Sequence, residues 1–465
     1  MDRHEQPLPE PWAFPGLFDV LVRNPRRSRQ ATDALALAQL KRLLTHAYTN
    51  VPLYRDLWNE AGVAPDDLKE LADLRHLPMV DKDAIVTAGD RAMDQRLLGI
   101  DLDSMSTSGT SGRAITLKRT TLELRLTRRS FLRALLYNGV RPWQHTVTFA
   151  STWLASKKGT IVSKIAKTAH ILPTDSLDAQ IELLRTFRAD NLIGQTGGLY
   201  LLARELLRRG QSFPLRTLVP TGATLMPEMR RTMRQAFGTE PRDLYGAIEL
   251  GTVSWQGPTG AYHMDTDRVI VEIVDDRGTP LPPGRSGQVV CTSLYGATMP
   301  LIRYKLLDVA SLSTERPTGT IRFPVMGPVK GRINDFLPTP NGDLVSPHFL
   351  YHIFDGVGGS PVKEWRIIQH SLRELTYEYV PEPNFRQAAL EGGMETIRRR
   401  FGADVKVAAV EVPSVPMTPN GKRTCIVSKL HRDQISGMRP WDTEDEAGMS
   451  DELMHAYSGQ PPSGI

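Results

Sequence analysis

Apolar positions fall into a helical rhythm near the start of the chain and then into alternating helical and strand-like runs. Leu35, Leu37, Leu40, Leu43 and Leu44 recur at helical spacing, which predicts an amphipathic helix over residues 31–46. The run broken at Pro52 resumes as helical character from Leu57 to Leu74, divided near Gly62 and Pro65. Thr120, Thr121, Leu122 and Glu123 form a capping-box pattern ahead of a helix over 121–137, and Gly139 ends it. Strand-like runs at 146–150, 192–194, 218–219 and 244–245 then alternate with helical runs at 177–188, 199–209 and 227–237. Such alternation predicts a sheet covered by helices. A β-rich stretch follows, with Val269 to Val274 and Gly287 to Thr292 flanking the turn Asp275 to Gly278.

A composition shift sits after Asp335, where Pro338, Pro340, Asn341 and Gly342 cluster. Beyond it, strand-like runs at 364–368, 374–379 and 405–412 surround a helix near 385–401. The expected fold class is α/β. A large N-terminal domain of several subdomains (31–334), its β-sheets covered by helices, precedes a small mobile α+β C-terminal domain (335–438). Residues 1–30, with Pro7, Pro9, Pro11, Pro15 and Pro25, read as an extended arm, and 439–465 as a disordered tail.

Composition narrows the function. The 465 residues exceed one ordinary core, and 40% hydrophobic with 23% charged residues is typical of a globular protein. No run of about 18 apolar residues exists, so no membrane span is expected. The polar, proline-rich start lacks an apolar leader core, and two distant cysteines, Cys291 and Cys425, suit a reducing cytoplasm. The net charge of +5 is spread along helices rather than gathered in a stripe. It fits anionic small molecules better than nucleic acid, for which no motif appears.

Several stretches carry candidate chemistry. Ser106 to Arg113 (S-T-S-G-T-S-G-R) is a run of hydroxyls and glycines closed by a cation. It can cradle phosphates through backbone N–H groups, though alone it equally describes a solvated turn. Its spacing is not that of a Walker A loop. Tyr245, Gly246 and Glu249 (Y-G-A-I-E) offer a stacking face, a flat backbone and a hard carboxylate for Mg²⁺. Asp308 closes the run P-L-I-R-Y-K-L-L-D and can accept from a ribose diol. Lys422, in the turn P-N-G-K, can reach a developing negative charge.

Taken in order, these motifs, with T-G-A at 221–223 and G-R-I-N-D at 331–335, resemble the adenylate-forming superfamily. Within it the chain looks most like the phenylacetate–CoA ligase and CapK branch, which Y-T-N-V-P-L-Y-R at 48–55 also matches. The resemblance spans about residues 35–430 and implies an ATP-dependent, AMP-forming ligase. Such an enzyme activates a small, aromatic carboxylic acid and passes the acyl group to CoA. Direct transfer to an amine or hydroxyl stays open, as does a catalytically degenerate nucleotide-binding scaffold.

By matching position, Thr107, Ser108, Gly109, Thr110, Ser111 and Gly112 would hold the ATP phosphates, with Arg113 beside them as a catalytic cation. Thr221, Gly222 and Ala223 would line the adenine and acyl pocket, and Tyr245 and Gly246 would pack on adenine. Glu249 would bind Mg²⁺, Asp308 and Arg332 the ribose, and Lys422 would assist adenylation. Asp335 would be the hinge, and Trp153, Gln195, Thr196, Gly197 and Gly198 the acyl pocket. The chain departs from the pattern at Arg113-Ala114, Thr224, Asn334 and Leu306-Leu307, the last replacing the usual Thr-Gly before the ribose aspartate. The segment 336–343 lacks the pattern typical of CoA ligases, and His263 lacks cysteine partners, so no zinc is expected. The resemblance leaves the oligomeric state open, a homodimer included.

Overall fold

The computed structural model describes residues 14–106, 115–149, 167–172, 175–317, 319–345, 347, 349–350, 362–381, 385, 387–416, 425–430 and 439–440. The first long helix, Arg29–Asn50, starts at Ser28, whose hydroxyl accepts from the Ala31 N–H at 3.2 Å. Pro52 opens the next helix, Pro52–Ala61, in a position where its missing N–H costs nothing. The expected helical stretch to Leu74 shortens after Gly62 into two short 3₁₀ helices, Pro65–Asp67 and Leu71–His76.

The central element is an eight-stranded mixed sheet. Strands Thr168–Ile171, Thr146–Phe149, Asn191–Gln195, Thr217–Thr221 and Leu244–Ala247 lie parallel in that spatial order. Gly251–Gln256, Tyr262–Met264 and Val325–Met326 extend it antiparallel. Period-two alternation decides what covers each face. Leu192 and Leu218 face a layer with Leu199, Leu202 and Phe237 from helices Thr196–Arg208 and Pro227–Phe237. Ile193 and Val219 face the opposite layer, with Ala134 and Leu135 of helix Thr121–Tyr137 and Trp255. The capping box forms: the Thr120 N–H donates to Glu123 at 2.7 Å, and the Glu123 N–H donates to the Thr120 hydroxyl.

A second, antiparallel sheet joins Val269–Val274, Ser286–Ser293, Tyr304–Ser311 and Gly331–Arg332. It shares the largest apolar core with Leu40, Leu43, Leu44, Tyr54 and Trp58 of the N-terminal helices. From Leu337 onward the described strands pair among themselves. Lys406–Glu411, Glu374–Pro381, Val362–Ser371 and Ile426–Ser428 form a four-stranded sheet, packed with helix Gln387–Phe401 around Trp365, Tyr377, Ile397 and Phe401. Between the two units lies a single turn, Ile333–Asp335. Phe336 and Leu344 pack there against Val309 of the large unit.

Two expectations at the chain ends need correction. Residues 17–26 of the arm are helical turns rather than extended chain. Long-range contacts decide this: Asn24 is buried and donates to Asp267 at 2.8 Å, and the Val20 carbonyl accepts from Arg133 at 2.9 Å. Of the expected tail, Arg439–Pro440 runs parallel to Asp343–Leu344 as the third strand of a small sheet with Leu337–Pro338. The remaining tail, 441–465, lies outside the described residues. Among the described residues no helix is long and apolar enough to cross a membrane.

Candidate functional site

Parallel strands that end at one edge gather their loops there, and such carboxyl-end crevices are where open α/β sheets bind ligands. Gln195 stands in register with Thr221, and Thr221 with Leu244. The expected stations Gln195–Gly198, Thr221–Ala223 and Tyr245–Glu249 are therefore neighbours. Hydrogen bonds lace the turns together. The buried Thr196 hydroxyl lies within reach of the carbonyls of Thr221 (3.3 Å) and Ala223 (3.1 Å). The Thr221 hydroxyl donates to the Leu244 carbonyl at 2.8 Å. Thr196 thus frames the crevice, while Gln195 and Gly197 are exposed to it. Phe149, at the end of its strand, lies over the glycines. A Cβ on Gly194 would come within 2.7 Å of Phe149, and one on Gly198 within 3.0 Å.

Asp308 comes to the same edge from the second sheet. Its Oδ2 accepts from the Tyr245 hydroxyl at 2.7 Å, and its Oδ1 lies 3.6 Å from Nε of Arg332, its partner in the strand ladder. Burial pushes the Asp308 carboxyl up to about 6. Arg332 and the Tyr245 hydroxyl oppose that rise, and the negative charges of Asp335 and Glu249 add to it. Burial likewise raises the Tyr245 phenol, with Asp308 adding to the effect, and raises the Asp335 carboxyl against the pull of Arg332. Near neutrality Asp308 is an ionised acceptor, held by one phenol and one loosely placed guanidinium.

Glu249 is half-buried after the Tyr245 strand. The Tyr304 hydroxyl lies near its carboxylate, whose negative charge adds to the burial that raises the phenol. Its carbonyl accepts from Arg119 at 3.3 Å, and Arg119 also donates to the Met299 carbonyl at 2.9 Å. Arg119 belongs to strand Thr116–Arg119, which pairs with Asp103–Ser106 in the hairpin that carries the glycine-rich loop. The hairpin, the Met299 turn and Glu249 are thereby tied to one buried cation. Sequence reasoning overlooked Tyr304, Arg119 and Phe149. Phe149 lay inside a run read as strand, Tyr304 inside the apolar run quoted for its Asp308, and a buried arginine leaves no local pattern.

Thr107, Ser108, Gly109, Thr110, Ser111, Gly112, Arg113, Trp153 and Lys422 lie outside the described residues. The hairpin closes at the foot of that loop, where Ser106 pairs with Thr116. Among the described residues no group of three or more His, Cys, Asp or Glu is disposed to hold a metal ion. His263 is buried against Trp255, with Nδ1 3.4 Å from the Phe323 carbonyl.

The family model of the CapK C-terminal domain matches residues 337–429. Phenylacetate–coenzyme A ligase of Pseudomonas putida is 28% identical over 330 residues, covering 66% of this chain and 72% of its own length. The enzyme of the same name from Escherichia coli is 28% identical over 324 residues, with the same coverage. Protein CapK of Staphylococcus aureus is 22% identical over 273 residues, covering 58% of this chain and 59% of its own. In fold, the chain is similar to 2-hydroxyisobutyryl-CoA ligase in its postadenylation state, with a TM-score of 0.70, 18% identity and 98% of both chains covered. Residues 337–429 thus match the CapK C-terminal domain, and the chain is similar in sequence to phenylacetate–CoA ligases and to CapK and in fold to 2-hydroxyisobutyryl-CoA ligase.

Proposed function

We propose that this protein is an ATP-dependent, AMP-forming acid–CoA ligase. A carboxylate oxygen of the acid attacks the α-phosphorus of ATP and pyrophosphate leaves. The CoA thiol then attacks the acyl carbonyl and AMP leaves. Homology to phenylacetate–CoA ligases over two thirds of the chain supports the reaction class. The observation that carries the site is Asp308 beside Tyr245 and Arg332 at the carboxyl ends of the parallel strands.

Each described residue has a role in this reading. Asp308 accepts from the ribose hydroxyls and Arg332 steadies it. Tyr245 and Gly246 lie along adenine, with Thr221, Gly222 and Ala223 completing the wall. Glu249, tied through its carbonyl to Arg119 and lying near Tyr304, is the oxygen ligand that would hold Mg²⁺, which would supply charge neutralisation at the phosphates. Arg113 and residues 107–112 embrace the phosphates, and Lys422 reaches the α-phosphate. A turn of the small unit about Asp335 brings Lys422 in and shuts water out. The acyl group lies toward Trp153 and Gln195–Gly198, where the Phe149 ring supports a small, aromatic acid.

The test is acid-dependent exchange of labelled pyrophosphate into ATP over a panel of acids, with products identified by mass with and without CoA. Exchange, and an acyl-CoA product only when CoA is present, is the expected result. No exchange with any acid would overturn the activity. An amide or ester in place of the thioester would overturn the acceptor. Lys422→Ala is expected to lower exchange at least about a hundredfold, as loss of a cation at a developing charge does. Unchanged exchange would remove Lys422 from the mechanism.

A further inference from the structure

Asp308 is delivered by an irregular piece of backbone. Strand Ser286–Ser293 pairs Gln288 with Val309 and Val290 with Lys305. Val289 alone therefore stands opposite Leu306, Leu307 and Asp308, and the strand bulges. Within the bulge Leu307 has φ +62°, a left-handed conformation that favours glycine. Arg303, where the segment begins, has φ +48°.

Both ends of the segment are clamped. The buried Arg303 guanidinium pairs with Glu272 at 3.1 Å and donates to the carbonyls of Arg75 (3.0 Å), Leu77 (2.7 Å) and Gly278 (2.8 Å). Its backbone is held as well, with the Val80 N–H on the Arg303 carbonyl at 3.0 Å and the Lys305 N–H on the Val80 carbonyl at 2.9 Å. Downstream, Asp308 and Val309 are paired with Arg332 and Gly331. Leu306 packs against the main core. The surplus residues between these anchors are taken up with a reversal of backbone hand at Leu307. Asp308, Val309 and Ala310 are then buried in succession, because both faces of the strand are covered there. Asp308 meets Tyr245, while Val309 still meets Phe336 and Leu344.

The geometry points to Leu307 as a positioning residue for the nucleotide. Its left-handed backbone, between the Arg303 clamp and the Asp308–Arg332 pair, takes up the bulge and sets Asp308 against Tyr245. This rests on the proposed nucleotide role of Asp308. Backbone conformation, and not the leucine side chain, is what the site requires.

The experiment compares AMP binding by calorimetry in wild type, Leu307→Val and Leu307→Gly, across pH, alongside thermal midpoints. Valine is close in size but resists the left-handed region, so AMP affinity falls at least about tenfold and the pH midpoint of binding moves. Glycine enters that region freely and rescues both, with a thermal midpoint at or above wild type. Valine binding AMP with wild-type affinity and pH midpoint, even with a lower thermal midpoint, would overturn the proposal by leaving Leu307 a purely structural role. Equal loss in both variants would overturn it in favour of a side-chain contact. Wild-type protein that binds no adenine nucleotide would instead sink the proposed function. Thermal midpoints ordered glycine, wild type, valine would then still support the backbone device, and any other order would overturn it.

Discussion

Two arginine–aspartate groupings in the large unit show opposite outcomes of burial. Arg133, fully buried, grips Asp267 through both terminal nitrogens at 2.8 and 2.9 Å and reaches Asp265 at 2.7 Å. Asn24 adds a hydrogen bond to Asp267, and Trp255 one to Asp265 at 2.9 Å. Burial pushes the Asp267 carboxyl upward, yet the pairing with Arg133 wins and holds it below the usual range. At Asp308 the arginine is 3.6 Å away and its side chain is 57% exposed, so burial wins and the carboxyl rises to about 6. A saturated carboxylate is part of the scaffold. An under-saturated one keeps lone pairs free for a ligand and carries the cost in the unliganded protein.

The largest effect should come from breaking the saturated group. Arg133→Met leaves Asp265 and Asp267 buried without their cation, at a cost of about 3–5 kcal/mol, comparable to the whole stability of many domains. Thermal melting and soluble yield read this out. A midpoint within a degree or two of wild type would break the contrast.

Asp308→Asn should do the reverse. AMP affinity falls about 10- to 100-fold for loss of charge-assisted hydrogen bonds, while the thermal midpoint stays level or rises. The pH dependence separates the two sites. Asp308 has a raised carboxyl, so its stabilising contribution is complete below the unfolded range near 4 and is lost as pH rises through about 6. Asp267, held low, contributes stability above that range and loses it on acidification. AMP binding needs the ionised Asp308 and should weaken about tenfold per pH unit below about 6, a slope that Asp308→Asn abolishes. Calorimetric titrations from about pH 5 to 8 check this.

Tyr245→Phe is the smallest of the three changes. It removes the hydroxyl that stabilises the Asp308 anion, so the pH midpoint for AMP binding should move upward. Affinity at neutral pH should drop about threefold to tenfold, the worth of a single hydrogen bond. A midpoint that moves downward would show that the phenol does not hold the carboxylate.

Features set by neighbouring residues could be read from the sequence. The Thr120–Glu123 capping box, the Pro227 helix start and the strand alternation that divides Leu192 from Ile193 depend on local chemistry and period alone. Asp308, Tyr245 and Arg332 were recognisable one by one, but a contact across 63 residues has no local signature. The turns at 17–26 were hidden for the same reason. The prolines of the arm suggest extended chain, while the decisive partner of Asn24 is 243 residues away. Leu307 shows the limit most directly, because nothing about a leucine between Leu306 and Asp308 announces a left-handed backbone that clamped neighbours impose.

The apolar contact of Val309 with Phe336 and Leu344 has a mechanical side. Val309 follows Asp308 on the same strand, and Phe336 follows Asp335. In the proposed reading, with Asp335 as the pivot, the contact would be the bearing on which the small unit rolls, its races one residue from the proposed ribose ligand and one residue from the axle. Gln369 donates to the Pro338 carbonyl at 2.7 Å, and Arg439–Pro440 pairs beside Asp343–Leu344, so a unit turning about Asp335 would begin at Leu337 and carry a strand from beyond residue 438 with it. Friction in that bearing, set by how much apolar surface must slide in each half-turn, would govern how quickly one half-reaction gives way to the next.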